Sequence, residues 1–466
     1  MEPRCCICID LKSYYASVEC VARGLDPLKA RLLVADPSRS DKTICLAVSP
    51  ALKAIGVPAR PRLFEARQAI RDYDLRHRTR TQYYIATPRM AEYERISALI
   101  FSIYLHYVAP EDIHVYSIDE AFLDCTKYVS RYRGEASRLG VSPAHLLAKT
   151  MIREVLDVTG ITATVGIGTN LYLAKVAMDI VAKKAPPDRD GVRIAELDEH
   201  AYCALLWDHT PLTDFWQIGP GKARRLMDAR LFTMGDIAEK ALRDEEYFYR
   251  AFGIDGEILI DHAWGIEPVR MEDIKAYKSG SNSLSTGQVL PRPYRYGEAR
   301  TVFQEMLNLL CADLFTKNLT TSALTWWVSY DYKSLEENPG YSGPVKPDFY
   351  GRLHPCHSGG TVRLRARANA FSAIGPALLS AFDAKTDHAL LFRRLGLCAE
   401  DVRLDGSAFQ LDLFTDCAAL EKEKRLQGAM LAVKKRYGAN AILKGTSFLD
   451  GATARERNLQ IGGHRA

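Results

Sequence analysis

The alternation of apolar and polar positions predicts several strands in the first part of the chain. Residues 5–9 form a short apolar run with β-character that ends at Asp10, and a turn into a helix follows. Residues 111–124 contain two more apolar runs, which meet at or near Asp119 and Glu120. The pattern predicts a buried strand that ends in an acid, and a strand pair with two acids at its junction.

The next segments predict helices packed on these strands. Ser142 as N-cap and Gly160 just past the end are typical of one helix. Residues 163–167 alternate as a strand, and Asn170 can cap a second helix with an apolar face. We expect a β-rich domain with helices on one side, interrupted by a small inserted subdomain at residues 26–84.

The remaining chain divides into a helical part, a linker and a mixed part. Residues 188–270 are predicted to be helical, whereas residues 277–296 are rich in Ser, Gly and Pro, as linkers are. Residues 324–330 and 362–366 alternate as strands of a mixed domain. The tail from residue 416 onward has a basic, helix-like stretch and no clear core of its own.

Composition and charge are those of an ordinary globular protein. The 466 residues suffice for several domains, and 47% of them are hydrophobic. The net charge of +5 permits a nucleic-acid partner without arguing for one. The 11 cysteines lack the paired spacing of a zinc site. Asp10 and Lys12 interrupt the first apolar run, so we expect no signal peptide, no membrane partner and a cytoplasmic protein with free thiols.

Three acids carry the candidate chemistry. Asp10, Asp119 and Glu120 lie in or beside apolar segments, where a carboxylate is costly unless it is paired or coordinates a cation. Converging carboxylate oxygens form the kind of site that magnesium prefers, and two such ions can activate an attacking hydroxyl and stabilise a leaving pyrophosphate. On spacing alone, an ordinary hairpin turn is an equally good interpretation. Only a turn or bulge could aim two adjacent acids at one metal.

Two motifs around these acids resemble the Y-family DNA polymerases, in particular their UmuC-like branch. The first is DLKSYYASVE at residues 10–19, and the second is YSIDEAFLD at residues 116–124. Both are long and stand in the family's order, and the resemblance extends over residues 5–415. It implies a template-directed polymerase of low fidelity that bypasses DNA lesions by two-magnesium nucleotidyl transfer, without proofreading.

The resemblance implies an α+β multidomain fold shaped like a right hand. The expected parts are a ferredoxin-like palm, small fingers, a helical thumb with a helix-hairpin-helix, and a mixed α/β little finger. Their expected boundaries are residues 1–25 and 85–182 for the palm, 26–84 for the fingers, 183–270 for the thumb, 271–285 for a linker, 286–405 for the little finger and 406–466 for a tail with a clamp-binding peptide.

The resemblance also implies roles for single residues. Catalysis and the binding of two Mg²⁺ ions fall to Asp10, the main-chain carbonyl of Leu11, Asp119 and Glu120. Tyr15 falls at the steric gate, where a rigid ring leaves no room for a 2′-hydroxyl. Tyr14 would pack beneath the incoming nucleotide. Plain core packing is the alternative for both tyrosines.

Two lysines resemble the cations that contact the triphosphate. Lys175 lies off the apolar face of its helix and is expected to reach outward, and Lys53 ends the fingers segment SPALK. Solvated lysines are the alternative. Many relatives have a Tyr and an Arg in the fingers segment, and a lysine cannot make the planar bidentate contact of an arginine.

Two further patterns predict DNA contacts. Residues 215–222, FWQIGPGK, resemble a helix-hairpin-helix in which main-chain N–H groups at Gly219 and Gly221, beside Lys222, hold a phosphate. An ordinary helix connection is the alternative.

The second pattern is a basic strand, in which alternate positions place three arginines on one face: Arg363, Arg365 and Arg367. Like charges side by side repel, which favours an anionic partner such as a DNA backbone over a solvated face.

A short peptide in the tail resembles the one by which bacterial polymerases bind the β sliding clamp. It is QLDLF at residues 410–414. Gln410 would hydrogen-bond at the rim of the pocket, and Leu411, Leu413 and Phe414 would fill an apolar groove. An amphipathic strand is the alternative.

The implied partners are primer-template DNA, deoxynucleoside triphosphates and the clamp. UmuC-type relatives also work with RecA and a UmuD-like accessory subunit, although no residue here argues for either. A competing hypothesis is a clamp-recruited DNA-binding factor with little or no polymerase activity, against which the presence of all three acids argues. The DNA-binding patterns argue against a third class, the palm-type nucleotide cyclases.

Overall fold

The chain folds into two compact units. The computed structural model describes residues 4–278, 280, 282–406 and 417–465. The first unit is Met1–Lys278 with His464–Ala466, and the second is Ser279–Gly463. Each unit has its own sheet and helices, which confirms the α+β multidomain class.

The first unit is built on a five-stranded sheet. In spatial order its strands are Ile113–Val115, Glu120–Asp124, Cys6–Leu11, Ala163–Gly168 and Arg193–Leu197. The last pair is parallel and the other pairs are antiparallel. Residues 6–9 are all completely buried. Because successive strand residues point to opposite faces, this sheet is covered on both faces, and the expectation of helices on one side is wrong.

Five α-helices accompany this sheet within the described part of the chain. They are Tyr14–Val21, Met90–Tyr104, Arg133–Leu139, Pro143–Thr159 and Leu171–Val176, with 3₁₀ turns at Pro110–Asp112 and Val129–Tyr132. The side chains of Ser142 and Asn170 each accept a hydrogen bond from the first turn of the helix that follows, as predicted. The last helix continues into a π-helical turn, Ala177–Ala182.

In the order of the chain, a small three-stranded sheet with its own core is inserted between helices Tyr14–Val21 and Met90–Tyr104. Its strands are Ala47–Val48, Leu32–Val34 and Tyr84–Ala86, and its helices are Pro50–Lys53 and Leu63–His77. Its core contains Leu33, Val48 and Leu63, which are all completely buried.

The rest of the first unit is mostly helical. Its helices are Glu199–Leu206, Pro220–Asp228, Met234–Arg243, Glu246–Phe252, Ile254–Ala263 and Met271–Ala276, with a 3₁₀ turn at Leu212–Asp214. Two expectations need correction. Residues 188–270 are not all helical, because Arg193–Leu197 joins the first sheet. The expected linker at 271–285 begins with a helix whose Met271 is buried against the first sheet, and it runs into a strand.

The second unit has a four-stranded antiparallel sheet with a short added strand. In spatial order the strands are Ser358–Ala368, Leu319–Tyr330, Phe392–Glu400 and Leu284–Tyr294, and Arg403–Leu404 pairs with the second of them. The helices Tyr296–Thr316 and Phe371–Lys385 pack on one face of the sheet. A short helix, Lys333–Glu337, and a separate hairpin, Val345–Pro347 with Leu353–Pro355, precede the first strand of that order.

The tail up to Gly463 belongs to the second unit. Its elements there are Cys417–Tyr437, Gly445–Phe448, Ala454–Arg457 and Gln460–Ile461, and a last short strand, His464–Arg465, is assigned to the first unit. The buried carboxylate of Glu305, on helix Tyr296–Thr316, accepts hydrogen bonds from the N–H groups of Thr453, at 2.8 Å, and Ala454, at 3.1 Å. The tail is therefore held against helix Tyr296–Thr316. In the described ranges, no helix combines the length and apolar character needed to cross a membrane.

Candidate active site

The strand register brings the three predicted acids to one edge of the first sheet. Asp10 lies directly opposite Glu120 across two antiparallel strands. The N–H of Leu11 donates to the carbonyl of Asp119 at 2.9 Å, which fixes the residue just before that strand. The N–H groups of residues 116 and 117 both donate to the carbonyl of Glu120 at 3.0 Å. This tight turn removes the objection that adjacent acids in a regular strand would point apart.

Two lysines and one further acid connect these carboxylates into a network. Lys175 Nζ lies 2.7 Å from Glu120 Oε1 and 2.9 Å from Asp179 Oδ2. Lys183 Nζ lies 2.7 Å from Asp179 Oδ1 and 3.1 Å from Asp10 Oδ2. Asp179 thus holds both ammonium groups.

The two lysines differ in exposure. Lys175 is only 7% exposed, so the expectation that it reaches outward is wrong. The side chain of Lys183 is 43% exposed and can meet a ligand from solvent. The sequence analysis missed Lys183 and Asp179. The spacing of 175, 179 and 183, which places them on one helical face, was the available signal.

Burial disfavours the charged form of two of these carboxylates. It raises the pKa of Asp10, and Asp119 adds to this rise, while Lys183 opposes it. Burial likewise raises the pKa of Glu120, while Lys175 opposes the rise. A buried carboxylate with a raised pKa gains most from a nearby cation.

The donor set suits a divalent cation. The three carboxylates of the network, Asp10, Glu120 and Asp179, and the nearby Asp119 carry four negative charges, against two ammonium groups from Lys175 and Lys183. Carboxylate oxygens with a surplus of negative charge are what magnesium requires. Among the described residues, no three acidic, His or Cys side chains are arranged around a metal position. Lys175 contacts Glu120 Oε1 and Lys183 contacts Asp10 Oδ2, so one oxygen of each carboxylate faces an ammonium group in this structure.

A group of basic residues lies beside the acids. Lys53 Nζ donates to Ser13 Oγ at 2.9 Å, which brings the small inserted sheet's helix to the start of helix Tyr14–Val21. Burial, together with Arg193 and Lys53, lowers the pKa of Lys12. Burial also lowers the pKa of Lys53, against the influence of Asp10. Cations that repel one another in this way favour a polyanionic ligand.

The two tyrosines have different environments. Tyr14 is 2% exposed, and its hydroxyl donates to the carbonyl of Tyr93 at 2.6 Å. Tyr14 is therefore buried in the core, and its packing beneath an incoming nucleotide stays a prediction. Tyr15 is partly exposed and stacks on the Tyr93 ring, with 4.4 Å between centroids. Burial raises the pKa of Tyr15, and Asp119 contributes, so its ring lies close to the acidic edge.

The glycine motif forms an exposed helix start. Helix Pro220–Asp228 begins after Gly219, and both Gly219 and Gly221 face open space. Lys222 Nζ lies 2.9 Å from Asp255 Oδ2, so this lysine is engaged within the chain. The main-chain N–H groups remain the part of the motif that could hold a phosphate.

The basic strand of the second unit is only partly as predicted. Arg363 and Arg365 are exposed, while Val362 and Leu364 pack against the core. Arg367 is different, because its guanidinium lies 2.6 Å from Asp401 Oδ2 and also donates to the carbonyl of Thr320. The expectation of three equivalent arginines is therefore wrong. The clamp-like peptide, Gln410, Leu411, Leu413 and Phe414, lies outside the described residues.

The chain is similar to known DNA polymerases. The model of the impB/mucB/samB family matches residues 9–179. DNA polymerase IV 2 of Bacillus subtilis (strain 168) is 28% identical over 100% of this chain and 99% of its own. DNA polymerase IV of Halorhodospira halophila is 30% identical over 72% of this chain and 84% of its own. A solved Y-family DNA polymerase chimera superposes with a TM-score of 0.58 at 19% identity, covering 86% of this chain and 99% of the other.

Proposed function

The chain belongs to the Y-family of DNA polymerases and is a DNA-directed DNA polymerase of the translesion type, and on this premise we propose how its active site works. DNA and nucleotides are its substrates. We propose that it is a low-fidelity enzyme without proofreading, and that residues 1–25 and 85–182 act as palm, 26–84 as fingers, 183–270 as thumb and 286–405 as little finger.

The mechanism rests on the strand register that sets Asp10 opposite Glu120, with Asp119 one residue earlier. These three carboxylates and the main-chain carbonyl of Leu11 would hold two Mg²⁺ ions. When bound, the ions supply activation of the primer hydroxyl and neutralisation of charge on the triphosphate. Asp10 would then give up its contact with Lys183, while Glu120 would keep its contact with Lys175.

Lys183 and Lys53 bind the triphosphate in this proposal. The side chain of Lys183 is 43% exposed and would be free to reach a phosphate, whereas Lys175 is buried between Glu120 and Asp179. Lys175 therefore positions Glu120 instead of contacting the nucleotide. Tyr15, held by its stack on Tyr93, acts as the steric gate against ribonucleotides.

We also propose that the peptide QLDLF at residues 410–414 recruits the β sliding clamp. Its glutamine and three apolar side chains have the chemistry of a short groove-binding peptide. Adding clamp should increase the length of the products of the wild type and not those of Leu413→Ala combined with Phe414→Ala. RecA and a UmuD-like subunit are tested in the same assay by adding them singly.

Primer extension with magnesium, on intact and abasic templates, tests the active site. The wild type should extend both primers, and Asp119→Ala combined with Glu120→Ala should abolish extension while DNA binding persists. Glu111→Gln is the matched control, because Glu111 is an exposed acid of the same unit. Extension by the double variant at the wild-type rate would refute the assignment of the metal ligands.

A further inference from the structure

A hairpin of the second unit stands apart from its main sheet. The strands Val345–Pro347 and Leu353–Pro355 pair only with each other among the described strands. All three residues of the first strand are exposed. The second strand leads directly into Ser358–Ala368, the strand that carries Arg363 and Arg365. The hairpin and the basic strand therefore form one continuous stretch of chain.

The tip of this hairpin is a rigid turn built around Asp348. Its carboxylate accepts hydrogen bonds from the N–H groups of Tyr350, at 2.8 Å, and Arg352, at 3.0 Å, and pairs with the Arg352 guanidinium at 2.6 Å. Gly351, with φ 77°, supplies the left-handed residue that closes the turn. The only acid of the turn is thus neutralised within it.

The turn presents an aromatic residue to solvent. Phe349 is 94% exposed, and its ring lies edge-on to Tyr350 at 5.2 Å. The Arg352 guanidinium lies over the Tyr332 ring at 4.7 Å, which anchors the turn to the end of the main sheet. A large aromatic side chain held out on this turn contributes nothing to the core, and its ring is accessible for stacking on a ligand.

Basic groups flank this aromatic tip. Lys346 lies directly opposite His354 across the hairpin, and its Nζ lies 3.5 Å from His357 Nδ1. Within the described ranges, no carboxylate forms an ion pair with Lys346. Lys346 lies on the exposed strand Val345–Pro347, so its ammonium can contact an external anion. The face therefore suits a ligand that combines negative charge with an exposed ring system.

We propose that this hairpin binds single-stranded DNA, with Phe349 stacking on an unpaired base and Lys346 contacting an adjacent phosphate. Stacking on an aromatic side chain ignores base identity, because every base has a π-face. That tolerance suits a polymerase that acts on any sequence, including damaged template.

Single-stranded DNA is favoured over a duplex on energetic grounds. Inserting a ring between paired bases requires unstacking a base step and bending the helix, which is favourable only when a large wrapped surface compensates for it. One ring and one lysine offer little such surface. An unpaired base needs no unstacking, and an acidic or apolar protein partner would not explain why both the lysine and the ring are exposed.

The experiment is fluorescence anisotropy of the full chain on a labelled oligonucleotide and on a blunt duplex, in EDTA. Omitting the metal separates this result from the proposed active site. Phe349→Ala should weaken binding to the single strand about 5- to 20-fold and leave binding to the duplex within about twofold. Phe448→Ala is the control, because Phe448 is 64% exposed in the same unit. Lys346→Ala should lower the slope of log affinity against log salt by about 0.7 on the single strand.

Phe349→Trp supplies a second readout that does not depend on affinity. This variant should bind as the wild type does, and the added indole emission should be quenched by the single strand through base stacking. An unchanged affinity of Phe349→Ala for the single strand would overturn the proposal. So would an equal loss on the blunt duplex, which would indicate a wedge between paired bases. A loss of primer extension only when clamp is present, with DNA binding intact, would indicate a protein partner and also overturn it.

Discussion

The two sheets of this polymerase both carry rows of charge, and they handle those charges in opposite ways. At the edge of the first sheet, Glu120 and Asp10 are largely buried and contact Lys175 and Lys183. On the outer face of the second sheet, Arg363 and Arg365 are exposed, and neither forms an ion pair within the described residues.

The difference follows from the cost of burying charge. A buried ion without a partner is expensive, so the acidic edge that we propose to be catalytic is neutralised within the chain. An exposed arginine is stabilised by water and needs no partner within the chain, so it stays available to an external anion. The first sheet is therefore preorganised and intolerant of substitution. The second can lose one charge at a time, with small and salt-dependent effects.

The largest effect is expected at the buried edge. Asp10→Asn keeps the shape of the side chain but removes its charge, so it should lower kcat/KM for nucleotide insertion by about 1,000-fold or more. Single-turnover primer extension measures this. Asp208→Asn, an exposed acid of the same unit, is the control. A loss of less than tenfold would show that Asp10 tolerates substitution as well as we expect of Arg363 and Arg365.

A smaller loss is expected at Asp179, which positions two lysines without being assigned to the metal. Asp179→Asn should lower kcat/KM by about 10- to 100-fold, as outer-shell partners of a metal site do. We expect most of the loss in KM for the nucleotide, because Lys183 loses the contact that aims it. Asp157→Asn is the matched control, since Asp157 is in a comparable i,i+4 pair with Arg153, at 3.1 Å. Equal effects of the two variants would refute the positioning role.

The acids of this site could be predicted from the sequence, because their placement depends on local features. A carboxylate at the end of an apolar run, and two more at a strand junction, are visible in residues 10–19 and 116–124. The tight turn that makes them usable is also local, since it is closed by hydrogen bonds over a few residues. The helix caps Ser142 and Asn170 were predictable for the same reason.

The partners of those acids could not be predicted, because they depend on how elements meet in space. A helical wheel shows that Lys175 lies off the apolar face of its helix, but it does not show that the edge of the sheet covers that position. The π-helical turn Ala177–Ala182 further alters the direction in which Lys183 points. Likewise, alternation places Arg367 with Arg363, and only the return of the chain near Asp401 separates them.

The exposed arginines should respond to salt. Removing both Arg363 and Arg365 by substitution with Ala should lower the slope of log affinity against log salt by about 1.8 on duplex DNA, because each phosphate contact contributes about 0.9. Titrations over a series of salt concentrations measure the slope. Primer extension at saturating DNA should stay near the wild-type rate, in contrast with the Asp10 variant. An unchanged slope would place the DNA backbone away from this strand.

The smallest effect is expected at Arg367, the arginine that the chain itself neutralises. Arg367→Ala should leave the salt slope unchanged and lower the midpoint of thermal unfolding at pH 7 by the order of a degree or two, since solvent screens so exposed a partner as Asp401.

Hydrogen bonds from Ser322 and Arg367 lower the pKa of Asp401 to about 2. A carboxyl group with a lowered pKa stabilises the fold above its ordinary pKa, so the destabilisation should be constant at neutral pH and fade as the pH falls from about 4 towards 2. Arg403→Ala, which removes the 3.1 Å contact of Arg403 with the same carboxylate, should behave in the same way but more weakly, because Arg403 is more exposed. A drop in the salt slope for Arg367→Ala equal to that for Arg363→Ala would mean that DNA displaces Asp401, and the two sheets would then differ less than their structures indicate.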